Sequence, residues 1–280
     1  MGIRLIALDI DGTLLGSDWK VSAANRAAIQ EATRRGIEVA LVTGRRFDFA
    51  TPVAEQIGAP LTMIVSNGAL VRTNDGVTHV RHLLPRDTAR RVLESTAAWR
   101  DITAVVFDRA ITRQVILEKI DWEDLAKVPY YTRNREFLAE VRPLQDCLDE
   151  DPIQVMYAGK VKPVREAETA LRRVQFHKEF ALAVTMYEPK DFGMIDVVHS
   201  CVTKGATLSE WAGIRSVPAE EILAIGDNHN DLEMLNFAGT PVVMENGVAE
   251  LKNRGWHVTR SNDEDGVAIA IERFAFKEHS

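Results

Sequence analysis

The residues that follow Gly2 form a short, nearly continuous apolar run that stops abruptly at Asp9. A run that is apolar at successive positions is how a central parallel strand reads when both of its faces are covered. The pattern recurs: Ile37–Val42 ends at Thr43-Gly44-Arg45, Leu61–Val65 at Ser66-Asn67-Gly68, and Ile222–Ile225 at Gly226-Asp227. Ser22 caps a helical pattern through Ala23–Arg35 that Gly36 stops, and a second helix runs to about Ile57, punctuated by Gly58 and Pro60. Strand, helix, strand, helix, strand predicts a βαβαβ unit with right-handed crossovers, and so a Rossmann-like α/β core built on a parallel sheet.

The pattern then changes. Ala69–Arg72 and Val77–Val80 flank Asn74-Asp75-Gly76, a hairpin signal. From about Pro85 the chain reads as a helix (Arg86–Trp99), strands at Thr103–Phe107 and Arg113–Leu117, and a polar helical stretch. A strand at Ile153–Tyr157, a helix after Pro163, and strands near Ala181–Met186 and Phe192–Val198 follow. Paired strands with interspersed helices predict a separate α+β module. After Lys204-Gly205 the first pattern returns: a helix to Trp211, the strand Ile222–Ile225, a helix to Ala238 and a strand at Pro241–Met244. A short helix, Trp256–Val258 and a last helix from Asp265 close it. The expected organisation is a discontinuous core, 1–83 and 191–280, around an inserted module, 84–190.

Charge and composition exclude several functions. The 280 residues carry 34 Lys+Arg against 41 Asp+Glu, a formal charge of −7, which argues against a broad nucleic-acid or anionic-membrane surface. The N-terminal apolar run is too short for a signal peptide, Ile6 stands where myristoylation prefers Ser or Thr, and no stretch is long enough for a membrane span. Two cysteines, Cys147 and Cys201, cannot form a disulfide framework; they are expected as buried thiols in a reducing cytoplasm.

Ligands of open α/β sheets bind outside the carboxyl ends of the strands, so the polar clusters should meet at one edge. Asp9-Ile10-Asp11-Gly12-Thr13 puts two carboxylates two residues apart at a strand end. Pointed into one crevice they repel unless a divalent cation neutralises them. Oxygen ligands without a Cys or His cluster favour Mg²⁺ over zinc, with Asp227 as a third carboxylate. The alternative for each motif is structural, since Asp and Asn also start turns and cap helices. Their co-occurrence in strand order favours the site.

Asp9-Ile10-Asp11-Gly12-Thr13-Leu14-Leu15, Thr43-Gly44-Arg45, Lys204-Gly205 and Gly226-Asp227-Asn228-His229-Asn230-Asp231 together resemble the four ordered motifs of the haloacid dehalogenase-like (HAD) phosphatases. Ser66-Asn67-Gly68-Ala69, the Thr203-Lys204-Gly205 junction and Val258-Thr259…Asn262-Asp263-Glu264-Asp265-Gly266-Val267-Ala268 resemble the Cof-type, class IIB branch. The resemblance implies hydrolysis of phosphomonoesters of small metabolites, sugar phosphates or cofactor phosphates, through a phosphoaspartyl intermediate. Asp9 is then the nucleophile and Asp11 the general acid/base. Mg²⁺ is held by the Asp9 side chain, the Asp11 carbonyl and the Asp227 side chain, with Asp231 orienting that shell. Ile10 N–H, Thr43, Gly44 N–H, Lys204 and Asn230 hold the phosphoryl oxygens. Asn67 has two readings, as site lining or as a turn residue before Gly68. Arg45, Arg46 and His229 are set aside as solvated or structural. The insertion after the third strand implies a C2-type cap that closes over the site. Two other functions are consistent with the motifs, a sugar phosphomutase of the phosphomannomutase type and a regulatory sugar-phosphate binder.

Overall fold

The opening apolar run becomes strand β1 (Leu5–Leu8), buried throughout, in a computed structural model that describes residues 2–110, 112–123, 131–132, 134–188 and 191–276. Helix α1 (Ala23–Arg34) starts where the Ser22 hydroxyl accepts the Asn25 N–H at 3.1 Å. It ends at Gly36, whose φ of +80° an L side chain resists. Strand β2 (Glu38–Val42), helix α2 (Phe47–Ile57) and strand β3 (Thr62–Val65) follow. The hairpin of β4 (Leu70–Thr73) and β5 (Thr78–Arg81) turns at Asn74-Asp75-Gly76.

Here the chain passes from one compact unit, Met1–Arg81 with Val202–Ser280, into a second, His82–Cys201. The second unit contains α3 (Arg86–Ser95), β6 (Thr103–Val106), β7 (Val115–Leu117), β8 (Leu138–Glu140) and β9 (Gln154–Gly159). Helix α4 (Val161–Arg173) and strands β10 (Phe180–Tyr187) and β11 (Phe192–His199) complete it. Its sheet runs β10-β11-β9-β6-β7-β8. Val92 and Leu93 of α3 and Val164 and Leu171 of α4 share a core with Val105, Tyr157, Ile195 and Val197 on one face of that sheet.

Three expectations change here. Helix α3 stops at Ser95 because the Thr96 hydroxyl bonds back to the Val92 carbonyl (2.7 Å) and meets the Tyr157 hydroxyl, and short 3₁₀ turns replace the last turns expected. The polar stretch after Leu117 contains a strand, β8, laid parallel on β7; residues 124–130 and 133 of that stretch lie outside the described residues. Strand β11 pairs with β9 and β10, so the unit ends at Cys201 instead of residue 190. A fourth correction concerns the thiols: Cys147 is buried, which pushes it up to about 12, whereas Cys201 is exposed.

The first unit resumes with α5 (Lys204–Ile214), β12 (Ile222–Gly226), α6 (Leu232–Phe237), β13 (Thr240–Val243), α7 (Ala249–Lys252), β14 (His257–Val258) and α8 (Gly266–Phe274). Its sheet order is β14-β13-β12-β1-β2-β3-β4-β5. All pairings from β14 to β3 are parallel. Leu5, Ala7, Ala40, Val42, Ile64, Ile222 and Ala224 form one packed cluster with Leu208 and Trp211 of α5. Each large apolar side chain so buried contributes about 1.5–3 kcal/mol before entropy is counted. Because β1 is paired with β12 (Leu8↔Ile225) and with β2 (Leu8↔Leu41), the residues after these strands emerge at one edge. Among the described residues no helix is long and apolar enough to cross a membrane.

Candidate active site

Asp9 leaves β1 with its N–H still bonded to the Ile225 carbonyl at 3.0 Å, so its position is set by the strand pairing. The chain then turns sharply, the Ile10 carbonyl accepting the N–H groups of Leu14 (3.1 Å) and Leu15 (3.0 Å). Gly12 sits in this turn at φ +86°, and a Cβ there would lie 2.5 Å from Asp227 Oδ2. The glycine lets Asp227 approach the first strand end. Thr13 Oγ1 donates to Asp227 Oδ1 at 2.9 Å.

After β12 the backbone makes a 3₁₀ turn, His229–Asp231, closed by a capping box between Asn228 and Asp231. Asp231 Oδ2 accepts both the Asp227 and Asn228 N–H groups at 3.0 Å, and this fixes the direction in which Asp227 leaves its strand. Lys204 occupies the first turn of α5, capped by Thr203, whose Oγ1 accepts the Ala206 N–H at 3.0 Å. At the end of β2, Thr43 Oγ1 accepts the Arg45 N–H at 3.1 Å and the Thr43 carbonyl accepts the Asn67 N–H at 3.0 Å. Asn67 has a left-handed backbone (φ +58°), and its side-chain oxygen stands 3.0 Å from where a Cβ on Gly44 would be. Asn67 is therefore a turn residue, and it lies against the Thr43-Gly44 strand end.

The centre of the arrangement is ionic and buried. Lys204 Nζ donates to Asp9 Oδ1 and to Asp231 Oδ1, each at 2.6 Å, and all three residues are buried. One carboxylate oxygen from each of Asp9, Asp227 and Asp231 lies within 4.8 Å of the others. Three carboxylates against one ammonium leave excess negative charge where water cannot screen it. Burial, then Asp231, pushes Asp9 well above the usual carboxylate range, and Lys204 only partly offsets this. Burial, followed by Asp231, pushes Asp227 up to about 7 against the Thr13 hydrogen bond. For Lys204, burial acts to lower the value, but Asp231 and Asp9 outweigh it and hold the ammonium above its ordinary range.

These donors fit a hard divalent cation: they are carboxylate oxygens, clustered, and short of positive charge. Asp231 differs from the other two, because both of its oxygens are engaged, one by Lys204 and one by two backbone N–H groups. Asp9, Asp227, Asp231 and Lys204 are thus brought together, while Asp11 stands apart from the cluster. Its two oxygens accept from Arg45 Nε (2.8 Å) and Nη2 (2.6 Å), a bidentate clasp. Ile10 is fully buried and Asn230 half-buried.

Sequence reasoning set Arg45 aside, yet its place directly after Thr43-Gly44 was the available signal. Two further residues, one of them, Asn262, inside the late motif quoted above, were given no role from sequence. Asn246 Nδ2 donates to the Gly12 carbonyl (2.7 Å), Asn262 Nδ2 to the Leu15 carbonyl (2.8 Å), and the Asn262 N–H to Asn246 Oδ1 (3.0 Å). Together they brace the turn after Asp9 from the far end of the chain.

Residues 6–271 match the haloacid dehalogenase-like hydrolases. The chain is similar to the 5-amino-6-(5-phospho-D-ribitylamino)uracil phosphatase YwtE of Bacillus subtilis (strain 168), with 26% identity covering 97% of this chain and 98% of that protein. A haloacid dehalogenase-like hydrolase from B. subtilis has a similar structure, with a TM-score of 0.80 at 25% identity over 96% of this chain and 99% of the other. A sugar phosphatase of HAD subclass IIB shares the fold at 19% identity, with a TM-score of 0.75 over 98% of this chain and 100% of the other. The match runs nearly end to end and contains every strand-end motif described above: this chain belongs to the haloacid dehalogenase-like hydrolase family.

Proposed function

We propose that this chain is a Mg²⁺-dependent phosphatase that hydrolyses phosphomonoesters of small metabolites through a phosphoaspartyl intermediate on Asp9. The observation that carries the reading is the buried clasp of Lys204 Nζ between Asp9 and Asp231, with Asp227 in reach of both carboxylates. A solvated surface lysine would need no such cage. The substrate class is supported by the similar B. subtilis phosphatase, whose name specifies a small phosphorylated metabolite.

Asp9 and Asp227 side chains and the Asp11 carbonyl would hold the ion, with Asp231 fixing their orientation. Bound Mg²⁺ supplies the positive charge that lets an anionic carboxylate approach an anionic phosphate. Lys204 keeps Asp9 oriented and presents a compact charge to the phosphoryl oxygens, together with the Ile10 and Gly44 N–H groups, the Thr43 hydroxyl and Asn230. An Asp9 carboxylate oxygen attacks phosphorus and the ester P–O bond breaks. Asp11 gives its proton to the departing alkoxide. Water then attacks the acyl phosphate and passes a proton to Asp11, and the aspartyl P–O bond breaks to release phosphate. The inserted unit, His82–Cys201, serves as a C2-type cap that contributes substrate selection.

The test is release of p-nitrophenol from its phosphate ester with and without chelator, repeated over a panel of metabolite phosphates. Asp9→Asn should abolish turnover with little change in thermal melt, and substitutions in the inserted unit should reorder the panel. Turnover by Asp9→Asn, or turnover indifferent to chelator, would overturn the mechanism; a panel unmoved by the second set would remove the cap assignment.

A further inference from the structure

Trp19 lies on the loop that follows the Asp9 turn, with a left-handed backbone (φ +63°) and 64% of its surface exposed. Both conditions are unfavourable. The left-handed conformation costs an L-residue about 1–2 kcal/mol, and an exposed indole forgoes the burial that large aromatics gain elsewhere. Strain of this kind collects at ligand clamps and persists only where the surroundings enforce it.

The surroundings do enforce it. The Gly16 N–H donates to the Lys20 carbonyl (3.1 Å) and the Trp19 N–H to the Gly16 carbonyl (2.9 Å). The Lys20 N–H reaches Asp18 Oδ1 (3.1 Å), and the Ser17 N–H reaches Asp263 Oδ1 (2.7 Å), which ties the loop to the end of the same unit. The loop is therefore a built turn that holds an indole outward. That indole lies beside Arg45, 5.8 Å from the guanidinium carbon to the ring centroid, and the same guanidinium grips both oxygens of Asp11. Arg45 thus links Trp19 to Asp11, the group assigned to the leaving oxygen.

We propose that Trp19 is a platform for the leaving group, and that the substrate is a phosphomonoester whose alcohol carries a ring, which stacks on the indole while Asp11 serves the ester oxygen. This inference rests on the phosphatase reading and narrows its substrate class. A ring on an aromatic face gains about 0.5–1.5 kcal/mol beyond the area it buries. A pre-ordered indole loses little freedom on binding, whereas a short acyclic alcohol held at Asp11 would fall short of the indole beyond Arg45.

The experiment is steady-state kinetics of the full chain with two ring-bearing esters, p-nitrophenyl phosphate and a hexose 6-phosphate, against glycerol 2-phosphate. Trp19→Asn removes the ring, yet asparagine accepts the left-handed backbone; Trp19→Phe keeps a ring. In Trp19→Asn the ratio of kcat/KM for ring-bearing over acyclic esters should fall about tenfold, mainly through KM, and Trp19→Phe should restore most of it. Ring-bearing esters should also perturb the indole fluorescence of Asp9→Asn and lose part of that effect in Asp9→Asn with Trp19→Phe. A ratio unchanged within twofold overturns the platform while the phosphatase reading stands, provided Asp9→Asn is inactive. An active Asp9→Asn strikes the phosphatase reading instead.

Discussion

Asp227→Asn should stabilise the metal-free protein while abolishing its turnover. Asp227 is almost fully buried beside Asp231, and burial followed by that neighbour pushes it up to about 7 from 3.8. A carboxyl whose folded value lies above its unfolded one contributes stability fully below the unfolded value and loses it as pH rises through the folded value. At pH 8 the carboxyl is ionised in both states, and the folded state carries a penalty of about 4 kcal/mol for holding that charge. Asparagine has nearly the same shape, retains an oxygen to accept the Thr13 hydroxyl now bound at 2.9 Å, and carries no charge. The expected gain is about 2–4 kcal/mol at pH 8 in chelator, shrinking to under about 1 kcal/mol near pH 4, where the folded carboxyl is protonated and the unfolded one only about half ionised. Urea unfolding at the two pH values measures it. In wild type, Mg²⁺ should supply most of the same stabilisation at pH 8, and in Asp227→Asn much less. A variant less stable than wild type at pH 8 without metal, or a gain of equal size at pH 4, would refute the argument that this carboxylate is held against its own electrostatics.

Two other substitutions probe the same cluster. Lys204→Met removes the ammonium that Asp9 and Asp231 share at 2.6 Å; kcat should fall about 10²–10³-fold and stability by about 3–5 kcal/mol at pH 8, with a smaller loss at pH 5, where Asp9, already held well above the usual carboxylate range, can take up a proton. Gly12→Ala must place a methyl 2.5 Å from Asp227 Oδ2 on a left-handed backbone; it should cost more than about 1 kcal/mol in unfolding experiments and weaken Mg²⁺ binding measured by calorimetry, and a neutral result would mean that the approach of Asp227 to this turn is unimportant.

The parts of the fold visible in the sequence are those where local chemistry and tertiary packing agree. Ser22, Gly36 and Gly58 mark helix ends that capping geometry alone dictates, and the continuous apolar runs mark strands covered on both faces. Strand β8 escaped because three residues, Leu138-Ala139-Glu140, carry too little pattern to compete with a polar neighbourhood; they are a strand only because β7 lies alongside. Helix α3 stopped early for a reason that sequence alone conceals, the meeting of Thr96 with Tyr157 across the unit. In the site, motifs announced which residues would come to one edge, since parallel strands leave no other place for their ends. They did not announce partners. That Arg45 would clasp Asp11, or that Asn246 and Asn262 would brace Gly12 and Leu15, depends on contacts between segments more than thirty to more than two hundred residues apart, which no local spacing encodes.

The central position of β1 has a consequence for how the chain is born. Its partner β2 is made almost at once, whereas β12 begins at Ile222, after the whole of His82–Cys201. At about 5–20 residues per second, the ribosome delivers β12 roughly ten to forty seconds after β1. Through that interval one backbone edge of an entirely apolar strand is open to pairing with any passing strand. The inserted unit meanwhile is continuous in sequence and has all its sheet partners to hand. The order of maturation therefore inverts the order of synthesis: the interruption completes first and the interrupted core closes around its earliest strand last. Asp9 emerges at the start, but the acidic cluster comes into existence only with Asp227 and Asp231, so the chain cannot assemble that cluster before both have been made.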